Sequence, residues 1–434
     1  MTDPEPAADD SARPAATSAT TATAAPGATG ATDATGATGA TAAPRHVSGL
    51  KRFAALSSTY FAAIGLFNPY APLWFQSLGL STLAIGAIAS LQSWTRVVAP
   101  YGWSWAGDHG GRRVELIRLA ALGCVLSALG LLGVQGALAV ALVTALLFCA
   151  NAGVVPLYEA TLAHLLSTGE GMDLARYGRV RMWGSVGFIV SVTLFGALLD
   201  LAGIGVFPWF VAVMNVLLLL AALRLPTLRE PVQAGSPAPP VLPRLRNPAV
   251  SWFFASVFFT VLAHTSLYAF FSLYLVSLGY GKSAVGALWA VSIAVEIAFF
   301  WTQGRWAALL SPERWLQVVA GATAMRFAAI ALGGAWPLVL VFAQASHAVT
   351  FAAHHAACIA LVHKHFPGRL RGRGQALYTI LGYGFPGVLG GVGGGWLIEH
   401  LGFAAVFWAA TGVALLALAC SRVAQRHAGA ASSA

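Results

Sequence analysis

The chain has 434 residues, of which 58% are hydrophobic and only 9% charged, and its formal net charge is +10. A water-soluble fold of this length could not hide so much apolar surface, so lipid is the solvent for most of the chain. The four cysteines, Cys124, Cys149, Cys358 and Cys420, fall inside apolar segments at no metal or redox spacing, which argues against a disulfide framework, a zinc site or a cofactor.

Residues 1–44 form an Ala/Thr/Gly/Pro tract without aromatics, the composition of a disordered tail. The tract lacks the basic start and apolar core of a signal peptide, so the first apolar span is expected to stay in place as a helix. Windows of about twenty apolar residues can cross the roughly 30 Å hydrocarbon core as helices. Twelve such windows follow, at 53–77, 83–105, 114–133, 138–165, 179–199, 206–224, 249–276, 284–306, 315–333, 337–362, 374–398 and 403–421. Between the sixth and seventh, residues 226–248 hold seven prolines and no apolar face, a linker composition. The expected organisation is an all-α membrane protein: a tail at 1–48, a six-helix bundle at 49–225, the linker at 226–248, a second six-helix bundle at 249–423, and a short tail at 424–434.

Basic residues set the orientation. Arg45, Lys51 and Arg52 precede the first span, Arg112 and Arg113 follow the second, and Arg176 and Arg179 lie between the fourth and fifth. Arg224, Arg229, Arg244 and Arg246 flank the linker, and Lys364, Arg369, Arg371 and Arg373 cluster before the eleventh span. The alternate loops contain one basic residue, Lys282. This bias puts both termini in the cytoplasm, as expected in a bacterial inner membrane. It also accounts for the +10 as topology, so no nucleic-acid partner is expected.

Two stretches two hundred residues apart read alike. LGLSTLAIGAIASLQSWTR (Leu78 to Arg96) and LGYGKSAVGALWAVSIAVE (Leu278 to Glu296) share Leu, Gly, Ala, Gly and Ala in register. Arg96 closes the first and Glu296 the second. A charge at the bilayer centre costs about 2.5–3.5 kcal/mol on insertion scales, so such charges are kept for function or paired. A repeated membrane half with a polar midplane is how many secondary transporters are built.

Other polar residues fall inside the spans. Ser292, Glu296 and Gln303 share a helical stripe, as do Gln92 and Arg96. Arg326 lies within span nine. Span ten holds His347, His354 and His355; the seven-residue spacing puts His347 and His354 on one α-helical face and turns His355 away. Histidine can carry a proton or hydrogen-bond a carboxylate, and no His-Glu-x-x-His spacing suggests a metal. Span four carries Asn151, Tyr158 and Glu159 around Pro156, and span one Tyr60, Asn68 and Tyr70 between or beside Pro69 and Pro72. Helices loosened by proline are tolerated where they line a cavity. His264, Tyr268 and Ser272 repeat every four residues in span seven. Glu159, Glu296 and water are all available partners for Arg96.

The loop SWAGDHGGRR (Ser104 to Arg113) after span two has Asp108, Gly111, Arg112 and Arg113 in the pattern G-x-x-x-D-x-x-G-R-R, with Ser104 at the opening glycine. With the twelve spans, it resembles the major facilitator superfamily over residues 50–423. YGRVRMWGSVGF (Tyr177 to Phe188), the run ending at Glu296, Arg326 and the histidines of span ten are similar to the phenylpropionate-permease group, related to lactose-permease-type proton symporters. The resemblance implies the two-bundle major facilitator fold and a gating latch at Asp108, Gly111, Arg112 and Arg113. It further implies a proton-coupling network of Glu296, Arg326, His347 and His355, with Glu159 as a second acidic group; a static ion pair is the alternative. The Gly-Pro motif of antiporters is missing from span five, and span eleven instead reads Pro386-Gly387, which favours symport.

The expected function is proton-coupled uptake of a small organic solute, a small carboxylate foremost, by a monomer in the bilayer. Arg96 and Arg326 offer counter-charge. Asn68, Tyr70, Tyr158, Trp183, His264, Tyr268 and His354 are the remaining candidate substrate contacts. Export by the same fold, nucleoside or sugar symport, and a scaffold without transport are the rival readings. No nucleophile and base are arranged for enzymatic chemistry.

Overall fold

The computed structural model describes residues 49–168, 171–227 and 240–432. The expected N-terminal tail and the middle of the linker lie outside these residues. The described chain contains twelve long helices. The first six are α1 (Leu50–Ser77), α2 (Thr82–Gly110), α3 (Arg113–Gly130), α4 (Ala137–Leu166), α5 (Leu174–Ala202) and α6 (Phe207–Leu223). The second six are α7 (Pro248–Ser277), α8 (Lys282–Trp306), α9 (Pro312–Gly333), α10 (Pro337–His365), α11 (Arg371–Leu401) and α12 (Phe403–Ser432). Nine of the helices, α4 to α12, are long and apolar enough to cross a membrane on length and composition alone. The first three carry more polar residues.

Local chemistry sets many of the boundaries. Ser81, Asp173, Asn247 and Ser311 accept backbone N–H bonds at the starts of α2, α5, α7 and α9, relieving donors that a helix start leaves unpaired. Pro248 and Pro312 occupy first-turn positions where no N–H is needed. Gly111 ends α2 with φ +60°, and Gly79 and Gly279, matched in the repeat, turn the chain after α1 and α7 with φ +81° and +88°. Between α4 and α5, Ser167–Thr168 pairs antiparallel with Gly171–Met172. The last helix runs to Ser432, past the span expected to end at 421, because Ala, Arg and Gln there favour helix beyond the apolar stretch.

The helices pack as two six-helix bundles, as expected. In the first, α1 lies on α5 and α6, and α4 on α2 and α3; in the second, α12 lies on α7 and α9, and α10 between α8 and α9. The bundles meet chiefly through two helix pairs, α2 with α11 and α5 with α8, with a smaller contact of α1 on α7. Both concentrate at the end of the molecule bearing the α1–α2, α5–α6, α7–α8 and α11–α12 turns. There the apolar core is continuous: one cluster takes in Leu66, Tyr70 and Phe207 from the first bundle and Phe270, Trp289 and Phe407 from the second. Toward the opposite end it divides into two separate cores, one around Phe53, Ile117 and Leu157 and the other around Phe253, Leu361 and Tyr378. The protein is closed at one end and divided at the other.

The repeated sequence builds the closed seam. A Cβ on Gly86 would strike the carbonyl oxygen of Gly391, and a Cβ on Gly286 that of Val192. One turn further out, Gly395 packs on the backbone of Thr82 and Gly196 on that of Lys282. The hydroxyls of Ser90 and Thr82 donate to the carbonyls of Val388 (2.8 Å) and Gly395 (3.1 Å). Tyr70 donates to Val192 O at 2.6 Å and lies 3.3 Å from Lys282 O. Only glycine allows backbones this close. Gly286→Leu is therefore expected to destabilise the closed arrangement by about 1–3 kcal/mol, the usual penalty of overpacking, and to lower the thermal midpoint in detergent. Gly304→Ala, on the same helix with open space around it, should leave that midpoint unchanged.

Candidate functional site

The second bundle buries a chain of polar groups between α8, α9 and α10. Glu296 and Arg326 are each 1% exposed. His347 stands between them. The guanidinium of Arg326 donates to His347 Nδ1 (3.1 Å), to Thr350 Oγ1 (2.9 Å) and to Gln344 Oε1 (2.5 Å). Ser292 completes the chain by donating to Gln344 Oε1 at 2.9 Å. His347 Nε2 lies 3.6 Å from a Glu296 carboxylate oxygen. A guanidinium can only donate, so Nδ1 must be the acceptor and the ring proton sits on Nε2, facing Glu296. A second proton on His347 would take the lone pair that Arg326 uses. In this arrangement His347 is neutral and bridges the arginine and the carboxylate.

The α10 backbone makes this possible. It contains a π-helical turn at Ala348–Ala353. One extra residue in the turn sets back all that follows by about 100°. His347, Phe351 and His355 therefore form one ring stack, with centroids 4.9 and 6.4 Å apart and planes within 4° and 12°. A regular α-helix would pair His347 with His354, the face expected from spacing; the π-turn gives that place to His355. His354 instead turns to a cleft, with Cys358 Sγ 3.4 Å from its Nε2. A second π-turn at Ile380–Gly384 in α11 brings Tyr378 to 3.5 Å from His355 Nδ1 and 3.1 Å from Tyr383.

The cleft is narrow and is lined by Val261, His264, Tyr268, Thr350, Phe351, His354 and Tyr383. His264 donates from Nδ1 to Thr260 O at 2.8 Å, and its Nε2, without a hydrogen-bond partner, is left as an acceptor. Tyr268 stacks on Trp289 and on His264, with centroids 6.2 and 6.3 Å apart. Arg96 approaches from the other bundle. It is exposed and lies within electrostatic reach of Tyr60 on α1 and Tyr268 on α7, so it projects between the bundles. Asn68 accepts from Gln92 at 3.0 Å, one turn from Arg96, and Tyr60 donates to Asn151 at 3.0 Å.

Glu159 does not meet Arg96. Its partner is Arg181 of α5, at 3.5 Å with both side chains buried, and Arg181 also lies over the Phe61 ring at 4.1 Å. Arg181 is the functional candidate that spacing arguments missed. Its only signal was its place in the Tyr177–Phe188 motif. Tyr70 and Tyr158, expected as cavity walls, are instead buried, Tyr70 in the seam and Tyr158 in the apolar core beside Phe53. Trp183 is half-exposed on α5. In the α2–α3 loop, Arg113 grips Asp108 at 2.6 Å, Gly111 makes the left-handed turn, and Arg112 lies 3.6 Å from Glu115.

Two membrane bundles that meet at one end and part at the other, one of them holding a buried charge network, have the architecture of a transporter of the major facilitator type. The chain belongs to the MFS_1-like family, whose model matches residues 53–409. It is 27% identical over 367 residues to the "Probable 3-phenylpropionic acid transporter" of Escherichia coli (strain K12), covering 83% of this chain and 94% of that protein. It is 29% identical over 368 residues to the maltose permease of Geobacillus stearothermophilus, covering 80% and 87%. Among solved structures, a point mutant of the nucleoside transporter NupG superposes with a TM-score of 0.76 at 20% identity, covering 86% of this chain and 99% of that one. A bacterial homologue of the lysosomal transporter Spinster, inward-facing and occupied, gives 0.67 at 14% identity, with 87% and 96% covered.

Removing one partner of a buried ion pair costs about 3–5 kcal/mol, whereas replacing both by apolar groups of similar volume is close to neutral. Arg181→Met alone is therefore expected to lower the thermal midpoint sharply, and Arg181→Met with Glu159→Leu to restore most of it. A double-mutant cycle on purified protein measures both.

Proposed function

We propose that the protein is a proton-coupled symporter that takes up a small organic carboxylate, aryl carboxylates foremost, by alternating access. The observation that carries this reading is the Glu296–His347–Arg326 chain, buried within one bundle beside an aromatic cleft that Arg96 faces from the other. In low dielectric an uncompensated charge is expensive. With Glu296 ionised, Arg326 has its counter-charge and the bundle is neutral. Protonating Glu296 leaves the arginine charge unbalanced, and a substrate carboxylate restores neutrality. Proton and anion are thus favoured together, and the doubly loaded form carries no added charge through the membrane.

The ring of the substrate would lie against Tyr268, which already stacks on Trp289, and His264 and His354 would offer ring nitrogens. The divided end bears the basic loops, so it faces the cytoplasm of a bacterial cell and the closed seam faces outward. Both termini then lie inside, and the six-plus-six arrangement works as a monomer. The similarity to a phenylpropionate transporter supports the carboxylate. The similarity to a maltose permease supports a second reading, an uncharged hydroxylated solute held by the same histidines.

In proteoliposomes, Glu296→Gln is expected to keep exchange of labelled aryl carboxylate while losing accumulation under an imposed proton gradient. Persistent concentrative uptake by that variant would remove the coupling mechanism. Arg96→Gln is expected to raise KM for the carboxylate at least tenfold while leaving KM for its neutral amide unchanged. An equal change for both would favour the uncharged solute, and outward net movement of label under the gradient would identify an exporter.

A further inference from the structure

The closed seam ends in two carboxylates, one on each bundle, that cap helices of the other. Asp200, in the last turn of α5, accepts from the backbone N–H groups of Lys282 (2.8 Å) and Ser283 (2.7 Å), the first two residues of α8. It also accepts from the Ser283 hydroxyl at 2.5 Å and lies 3.6 Å from the Lys282 ammonium. Its counterpart is Glu399, near the end of α11, which accepts from Leu83 N–H in the first turn of α2 at 3.4 Å. The two positions occupy matching places in the two halves, just as Lys282 and Thr82 do.

The N-terminus of α8 depends on this foreign cap. Its own N-cap residue is Gly281, which has no side chain to offer. A Cβ there would meet the Asp200 carboxylate at 3.0 Å, so the glycine leaves room for a cap supplied by the other bundle. Helix α2 is less dependent, since its own Ser81 accepts from Ala84 N–H at 3.2 Å and Glu399 bonds Leu83 alone. A carboxylate at a helix N-terminus is favoured by the unpaired N–H groups and by the helix dipole. Asp200 and Lys282 are part-exposed, so water can replace the bonds when the helices separate. The contact is strong enough to bias the seam and cheap enough to release.

We propose that Asp200 and Glu399 are positioning residues of the outer gate: they hold the seam shut by capping α8 and α2 across the bundle interface, with Asp200 the stronger latch. The inference rests on the alternating-access reading above. Losing one cap interaction is expected to shift the closed-to-open equilibrium about five- to tenfold. The test places spin labels at Gly133→Cys and Leu338→Cys, exposed positions on the two bundles, in the full chain with its native cysteines replaced and reconstituted in nanodiscs. Pulsed electron–electron distances should show a longer, open population in Asp200→Ala, a smaller one in Glu399→Ala, and the largest in the double variant. Asp200→Asn, which still accepts an N–H bond, should resemble the unaltered protein. Gly286→Leu serves as the control that forces the seam apart. An unchanged distribution in the double variant overturns the latch. If Gly286→Leu stays closed as well, the rocking motion falls with it.

Discussion

Backbone approach across the closed seam is the constraint on which the architecture rests. Lipid gives two apolar helices no hydrophobic reason to associate, so packing and hydrogen bonds must do it. Here α2 meets α11 at Gly86 and Gly391, and α5 meets α8 at Val192 and Gly286, each with peptide groups in contact. Side-chain hydroxyls then reach carbonyls on the neighbouring helix. Because these contacts lie toward one end, the bundles touch there and part elsewhere. The parting allows a guanidinium such as Arg96 to project between them without being sealed in hydrocarbon.

The second organising demand is neutrality inside each bundle. The first holds Glu159 against Arg181 and the second holds Glu296 near Arg326 through His347. The two solutions differ in kind. In the first, the ions face each other at 3.5 Å and the cation is also covered by a ring, which suits a fixed support. In the second, a neutral imidazole separates them, and the arginine is shared among histidine, threonine and glutamine acceptors. A cation held by several neutral acceptors can exchange one anionic partner for another more readily than a cation locked to a single carboxylate.

Much of this was legible in the sequence. Twelve apolar windows gave the helices. The matched stretches ending at Arg96 and Glu296 marked α2 and α8, and of their shared glycines Gly86 and Gly286 lie in the seam while Gly79 and Gly279 make turns. Other features were not legible, for definable reasons. The pairing of Glu159 with Arg181 needs α4 and α5 placed side by side, which one-dimensional spacing does not supply. The same holds for Asp200 and Glu399, whose partners are backbone groups of distant helices. Tyr70 and Tyr158 looked like cavity walls because polar aromatics in a span suggest one. The helices' rotation instead turns one into the seam and the other into the core.

The largest discrepancy between pattern and structure is the histidine face of α10, and it has a single cause. Spacing arguments assume about 3.6 residues per turn throughout. The π-turn at Ala348–Ala353 breaks that assumption where α10 crosses α8 and α9. Its effect reaches beyond one side chain: it lets Thr350 bond the guanidinium and His355 stack beneath Phe351, and it turns His354 out to the cleft. A regular helix would present His347 and His354 together and withdraw His355 from the Tyr378 hydroxyl. The wide turn therefore divides the histidines of one helix between two environments, one inside the charge network and one at the aromatic cleft. Such turns are weaker than regular helix and recur at functional sites. Here it stands where the proposed mechanism needs the histidine of the charge network, His347, and a cleft-facing one, His354, to be distinct yet less than two turns apart.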